Sequence, residues 1–178
     1  NIGAGLSRNK AIKVSRGKFI AFIDSDDLWD PLKLQIQISF MKKNNISISH
    51  TSYHIIDENN KKISYRTAKD LNFKDLIKSC DVGLSTVVIN KKLLKKDYFV
   101  NLKTKEDYVL WLKLAKKNHI FYGIKKPLVF WRSMPDSLSS SLLRKLIDGY
   151  SVYRVYIKQT IFQSLKSLTL LSINYLKK

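Results

Sequence analysis

A chain of 178 residues, 44% of them hydrophobic, is long enough to close one core without a second domain. Its single cysteine, Cys80, excludes an internal disulfide and a cysteine-built metal cage, which fits a reducing cytosol. A formal net charge of +19 calls for a negatively charged partner: nucleic acid, an anionic membrane surface or a phosphate-bearing substrate. The lysines are spread along the chain, with no arginine-rich arm, aromatic RNA-binding signature or Cys/His finger, which disfavours nucleic acid.

The chain opens at Asn1 inside the glycine-bearing stretch Asn1-Ile2-Gly3-Ala4-Gly5-Leu6-Ser7-Arg8-Asn9. Residues 6–16 read as a helix ended by Gly17 at C′. The run Phe19-Ile20-Ala21-Phe22-Ile23 is short, continuous and rich in aromatic and β-branched residues, as in a strand buried on both faces of a parallel sheet. Asp24, Asp26 and Asp27 then fall at the carboxyl end of that strand, where open α/β sheets bind nucleotides. Carboxylates this close raise one another's pKa unless a cation offsets them, and hard oxygen ligands suit Mg²⁺ or Mn²⁺. A solvated acidic cap on a turn is the alternative that these four positions alone leave open.

Asp30-Pro31 supplies an N-cap and a proline at the first helical position, so a helix is expected over residues 31–43, against the strand-like alternation of Leu32, Leu34, Ile36, Ile38 and Phe40. Residues 46–52 read as a strand. A hairpin of residues 53–56 with 63–65 follows, turning over Asp57-Glu58-Asn59-Asn60, and His50 and His54 are read as structural. Asn72 and Asp75 open a short capped helix. Residues 80–86 lead into a strand over 87–89, and a short helix covers 90–96.

In Thr104-Lys105-Glu106-Asp107-Tyr108-Val109-Leu110-Trp111-Leu112, the stripe Tyr108, Trp111, Leu112, Ala115 predicts a helix over 106–117 with both carboxylates on its first turn. Thr104 and Asp107 also stand at capping-box spacing. Residues 121–124 and 128–132 read as two strands joined through Lys125-Lys126-Pro127, with Arg132 placed to offer a guanidinium fork to a phosphate or to a surface carboxylate. Residues 142–178 read as two helices. Ile161, Leu165, Leu168 and Ser172 share one side and lysines supply the charge, so the tail suits core packing, a second subunit or an anionic membrane.

Three blocks occur in order: Asn1-Ile2-Gly3 through Arg8-Asn9, then Gly17-Lys18-Phe19-Ile20-Ala21-Phe22-Ile23-Asp24-Ser25-Asp26-Asp27, then Trp29-Asp30-Pro31-Leu32-Lys33. Together they resemble the family 2 glycosyltransferases of the GT-A fold, and Glu106-Asp107-Tyr108-Val109-Leu110-Trp111-Leu112 is similar to that family's E-D block. The resemblance implies an α/β protein in which residues 1–141 are the later half of a GT-A domain and 142–178 a helical basic tail. The strand-helix unit with the base pocket would precede Asn1, so the chain is read as amino-terminally truncated.

It implies further that Arg8, Asn9, Asp24, Asp26, Asp27 and Arg132 meet the nucleotide-diphosphate sugar donor. Asp24 and Asp26 would hold Mn²⁺ or Mg²⁺, and Asp107 would be the general base beside Glu106. Gly83, Ser85, Thr86 and Trp111 would lie toward a glycan or lipid-linked glycan acceptor. The expected reaction is an inverting sugar transfer in bacterial surface polysaccharide or capsule synthesis, cytoplasmic or on the inner face of the plasma membrane. No Q-x-x-R-W signature of processive enzymes occurs, so single additions are expected. A catalytically inactive fragment and a basic nucleic-acid-binding module are the rival readings.

Overall fold

The computed structural model describes residues 2–95, 98–134 and 142–176. In chain order these form α1 (Ala4–Val14), β1 (Phe19–Ala21), β2 (Leu28–Trp29), α2 (Lys33–Lys43), β3 (Ile48–Ile56), β4 (Lys62–Arg66), α3 (Phe73–Leu76), β5 (Val88–Asn90), α4 (Glu106–Lys116), β6 (Tyr122–Arg132), α5 (Leu142–Ser151) and α6 (Ile161–Leu176). Short 3₁₀ turns cover Leu84–Thr86 and Lys91–Lys95, and a π-type turn covers Val152–Tyr156.

Six strands make one curled mixed sheet in the order β1-β5-β3-β6-β2, with β4 also paired to β3. The long parallel pairing of β3 with β6 is its spine, and the other pairings are antiparallel. β1 departs from expectation. It is a three-residue edge strand, half-buried and antiparallel to β5, and only Phe22 beyond its end is buried. An apolar run of this length has the same composition at a sheet edge as in a sheet centre, so the sequence could not separate the two.

β3 and β6 are each continuous where the sequence suggested breaks. β6 absorbs Pro127 at register shifts between Thr51 and Ser52 and between Ser52 and Tyr53, a tolerable place for a residue with no N–H to give the ladder. Helix α1 starts and ends two residues earlier than expected and closes on Ser15 rather than Gly17. For α2 the helix wins over the alternation, but it starts at Lys33 with Leu32 rather than Asp30 at the N-cap; Leu32 and Leu34 stay exposed while Lys33, Gln37 and Met41 form the buried i, i+4, i+8 stripe. The Asp30 side chain accepts from Leu32 N at 2.8 Å and so starts the turn.

Helix α4 is buried nearly all round, with Tyr108, Val109, Leu110, Trp111 and Leu112 without exposure. Trp111 packs between Phe121 at 5.5 Å, Phe22 at 6.1 Å and Phe99 at 6.3 Å, measured between ring centroids. The carboxyl-terminal helices join this same core through Val152, Tyr153, Ile157 and Leu171. α1 is held against it at Gly5, where a Cβ would lie 2.7 Å from Val100 O and 3.1 Å from Glu106 Cγ, so only glycine lets the helix come this near.

Candidate active site

The carboxylates after β1 divide into a buried and a more exposed set. Asp27 is buried: its Oδ2 accepts from Ser85 Oγ at 2.5 Å and its Oδ1 from the Arg132 backbone N–H at 2.9 Å. Burial pushes its pKa up to about 6 in spite of those two hydrogen bonds. Ser85 Oγ also accepts the Asp24 N–H at 3.0 Å, and Ser85 O accepts Trp29 Nε1 at 2.8 Å, so one serine sets the shape of the acidic loop. Asp26 is exposed and Asp24 half-buried.

Arg8, on α1, ties this loop to the start of α4. Its guanidinium donates to Asp24 Oδ1 at 2.6 Å and to Glu106 Oε1 at 2.5 Å, and lies 5.4 Å from the centre of the Phe99 ring. Asp107 follows Glu106, with Oδ1 accepting from Tyr108 N at 2.7 Å. Desolvation, then the neighbouring Glu106 charge, pushes the Asp107 carboxyl up to about 7, while the Tyr108 N–H and Arg8 pull the other way. The capping box that the Thr104–Asp107 spacing would allow does not form. Thr104 N and Oγ1 both donate to Asp148 Oδ2 on α5, at 3.1 and 2.7 Å, and the N-cap position is Lys105 in the left-handed conformation.

Other residues named from the sequence have different surroundings from those expected. Asn9 exchanges two hydrogen bonds with the Phe99 backbone and straps α1 to the 98–100 segment. Arg132 spends its guanidinium on protein: Nε on Asp26 O, Nη1 on Asp57 O and Glu58 O, Nη2 on Asn60 Oδ1. Trp111 corrects the acceptor-side expectation, since its side chain is sealed in the aromatic core. Gly83 and Thr86 belong to the same 3₁₀ turn as Ser85, and Thr86 Oγ1 donates to Gly83 O at 2.6 Å. Thr86 is buried and its carbonyl accepts from Gln37 Nε2.

Lys33 is a supporting residue that the sequence reading named only as part of a block. It is fully buried, its Nζ has no hydrogen-bond partner among the described residues, and it lies 4.1 Å from the centre of the Trp29 ring. Trp29 in turn holds Ser85. The available signal was its i, i+4, i+8 register with Gln37 and Met41.

Among the described residues, no three His, Cys, Asp or Glu side chains converge as a ready-made metal cage. Asp24 and Asp26 still fit a hard divalent ion, because Mg²⁺ is commonly held by one or two carboxylates and completed by substrate phosphates.

Residues 1–102 match the family described as Glycosyl transferase family 2. The chain belongs to that family. It is 43% identical over 118 residues to the UDP-Glc:alpha-D-GlcNAc-diphosphoundecaprenol beta-1,3-glucosyltransferase WfgD of Escherichia coli, covering 66% of this chain and 46% of that protein. It is 30% identical over 152 residues to the similarly named WfaP of the same species, covering 85% and 60%. The chain thus spans about half the length of these curated relatives. Among solved structures, S. aureus TarS 1-349 in complex with UDP-GlcNAc superimposes with a TM-score of 0.67 at 22% identity, covering 94% of this chain and 51% of that one. That likeness carries the fold: residues of a GT-A family 2 transferase followed by carboxyl-terminal helices.

Proposed function

We propose that these residues form the catalytic face of an inverting glycosyltransferase that moves a sugar from a nucleotide diphosphate to a hydroxyl of a glycan or lipid-linked glycan, on the cytoplasmic side, during bacterial surface polysaccharide synthesis. The observation that carries this reading is the Arg8 bridge, which brings the D-x-D loop and the E-D turn together although they lie far apart in sequence. In the reaction, the acceptor oxygen bonds to the anomeric carbon as the sugar–phosphate bond breaks. The bonding pair leaves with the nucleoside diphosphate, and the acceptor proton passes to Asp107. Burial and the neighbouring Glu106 charge hold the Asp107 carboxyl above the usual carboxylate range, which suits a group that must take up a proton.

Attack from the face opposite the leaving group inverts the anomeric carbon with no covalent enzyme intermediate. Asp26, with Asp24, would hold Mn²⁺ or Mg²⁺, and such an ion when bound neutralises charge on the departing diphosphate. Ser85 fixes the loop that presents both carboxylates, and Asp27 and Arg132 anchor it from behind. The names of the relatives support the choice of donor and acceptor: WfgD is named for UDP-Glc and a diphosphoundecaprenol-linked sugar, and TarS has been crystallised with UDP-GlcNAc.

The test is Asp107→Asn in the full chain. This variant is expected to melt like the parent and bind UDP normally while transferring sugar roughly 10²–10⁴-fold more slowly. Near-parental turnover would remove Asp107 from the role. A parent that binds UDP yet transfers no sugar from any UDP-sugar tried would favour the catalytically inactive fragment.

A further inference from the structure

Helices α5 and α6 leave large apolar side chains facing away from the protein, although Leu168 and Leu171 of α6 pack inward. Among the described side chains of α5, Asp148 and Gly149 are buried, while Leu143 is 69% and Ile147 51% exposed. In α6 Ser164, Ser167 and Leu171 face inward, and Ile161, Phe162 and Leu165 are 59%, 78% and 50% exposed. Both helices therefore keep several large apolar residues on the side where a surface helix ordinarily shows polar ones. The two helices pack on each other, Gly149 admitting Leu168 so closely that a Cβ would lie 2.9 Å from its Cδ1, so the outward apolar residues sit on one docked unit. Apolar exposure on this scale, concentrated on neighbouring elements, marks an interaction surface.

Charge selects the partner. Residues 142–176 carry Arg144, Lys145, Arg154, Lys158 and Lys166 against one acid, Asp148, and that acid is buried on Thr104. A second copy meeting this face would set basic residues against basic residues. A protein groove would have to supply both apolar area and a matching run of acids. An anionic lipid surface supplies both at once, since acyl chains take the apolar face and headgroups take the lysines. No helix among the described residues is long and apolar enough to cross a membrane, so the contact lies in the plane of the interface. We propose that α5 and α6 dock the protein on an anionic bilayer, with Phe162 and Leu165 entering the headgroup–acyl boundary.

This goes beyond the transfer reaction and is measured without it, so failure of one leaves the other standing. The full chain is sedimented with phosphatidylcholine vesicles and with vesicles in which part of the lipid is phosphatidylglycerol. Binding is expected only to the second set and should weaken with salt. Phe162→Asp with Leu165→Asp, at solvent-exposed sites that leave the melting temperature near the parent's, should weaken it at least about tenfold. Lys158→Glu with Lys166→Glu should do the same. Equal binding by the Asp variant, or binding indifferent to phosphatidylglycerol, overturns the proposal. So does a dimer in light scattering that the Asp variant splits while the parent ignores vesicles, an outcome that assigns the face to a second copy.

Discussion

Arg8 Nη1 donates to Glu106 Oε1 at 2.5 Å across ninety-eight residues of sequence, while its other terminal nitrogen holds Asp24. One cation therefore sets the spacing between the acidic loop and the start of α4, and its charge also pulls the Asp107 pKa down against burial and Glu106. Arg8→Met removes that pull. Turnover that needs ionised Asp107 rises as pH passes through its raised pKa in the parent, and in the variant the same limb is expected at higher pH, with a lower rate at neutrality. The pH profile of kcat/KM checks this, and a limb that stays in place would mean that the titrating group is not Asp107.

Arg132 offers a sharp choice between anchoring and ligand binding. Its guanidinium makes hydrogen bonds of 2.7 to 3.2 Å to Asp26 O, Asp57 O, Glu58 O and Asn60 Oδ1, joining the acidic loop to the β3–β4 turn. Arg132→Ala is expected to cost about 1–3 kcal/mol of stability, since several acceptors lose their donor together. Thermal melts of the ligand-free protein read this directly. An unchanged melt combined with a large loss of UDP affinity would return Arg132 to the donor.

Asp26 is the exposed carboxylate of the loop, and in the proposed reaction it shares a metal with the diphosphate. Mn²⁺ and UDP added together are expected to raise the melting temperature more than the sum of each alone, because each completes the other's coordination. Asp26→Ala should leave the ligand-free melt unchanged and abolish the synergy. Persistence of the synergy in that variant would move the metal elsewhere.

Burial lowers the Lys33 pKa from its ordinary 10.5 to about 7. Below about 7 the folded state must enclose a charge. Between that value and 10.5 the folded lysine is neutral while the unfolded one still holds its proton, so the Lys33 share of stability rises with pH through this window. The Trp29 face attracts the cation and offsets part of the cost. Lys33→Met is expected to be more stable than the parent at pH 6, by on the order of 1–3 kcal/mol, and to show a flatter slope above pH 7. Denaturant melts across that range check the sign, and a slope equal to the parent's would leave the amine hydrated.

The acidic loop, the E-D turn and most elements were legible in the sequence because each is written locally: an apolar run ending in carboxylates, a capped start, a stripe at helical spacing. What escaped is what long-range packing decides. Asn9 and Arg132 are polar residues in plausible donor positions, but their partners lie ninety and up to one hundred and six residues away, where no local pattern points. Trp111 fell on the buried stripe, and the same stripe that located α4 argued against any ligand role for it. The tail's periodicity was visible too. Which way its apolar face turned was not, since a 3.6-residue repeat fixes a stripe but not the side on which the protein stands.

The contacts between Thr104 and Asp148, and between the Tyr108 and Tyr153 hydroxyls 3.0 Å apart, tie the start of α4 and the residue before its N-cap to the carboxyl-terminal segment, on either side of the Glu106–Asp107 turn. For anyone preparing a shorter version of the protein, residue 141 therefore makes a poor place to cut. Trimming there would strip a lid from Tyr108 and a staple from Thr104, and the damage would surface at the two carboxylates long before the sheet itself came apart.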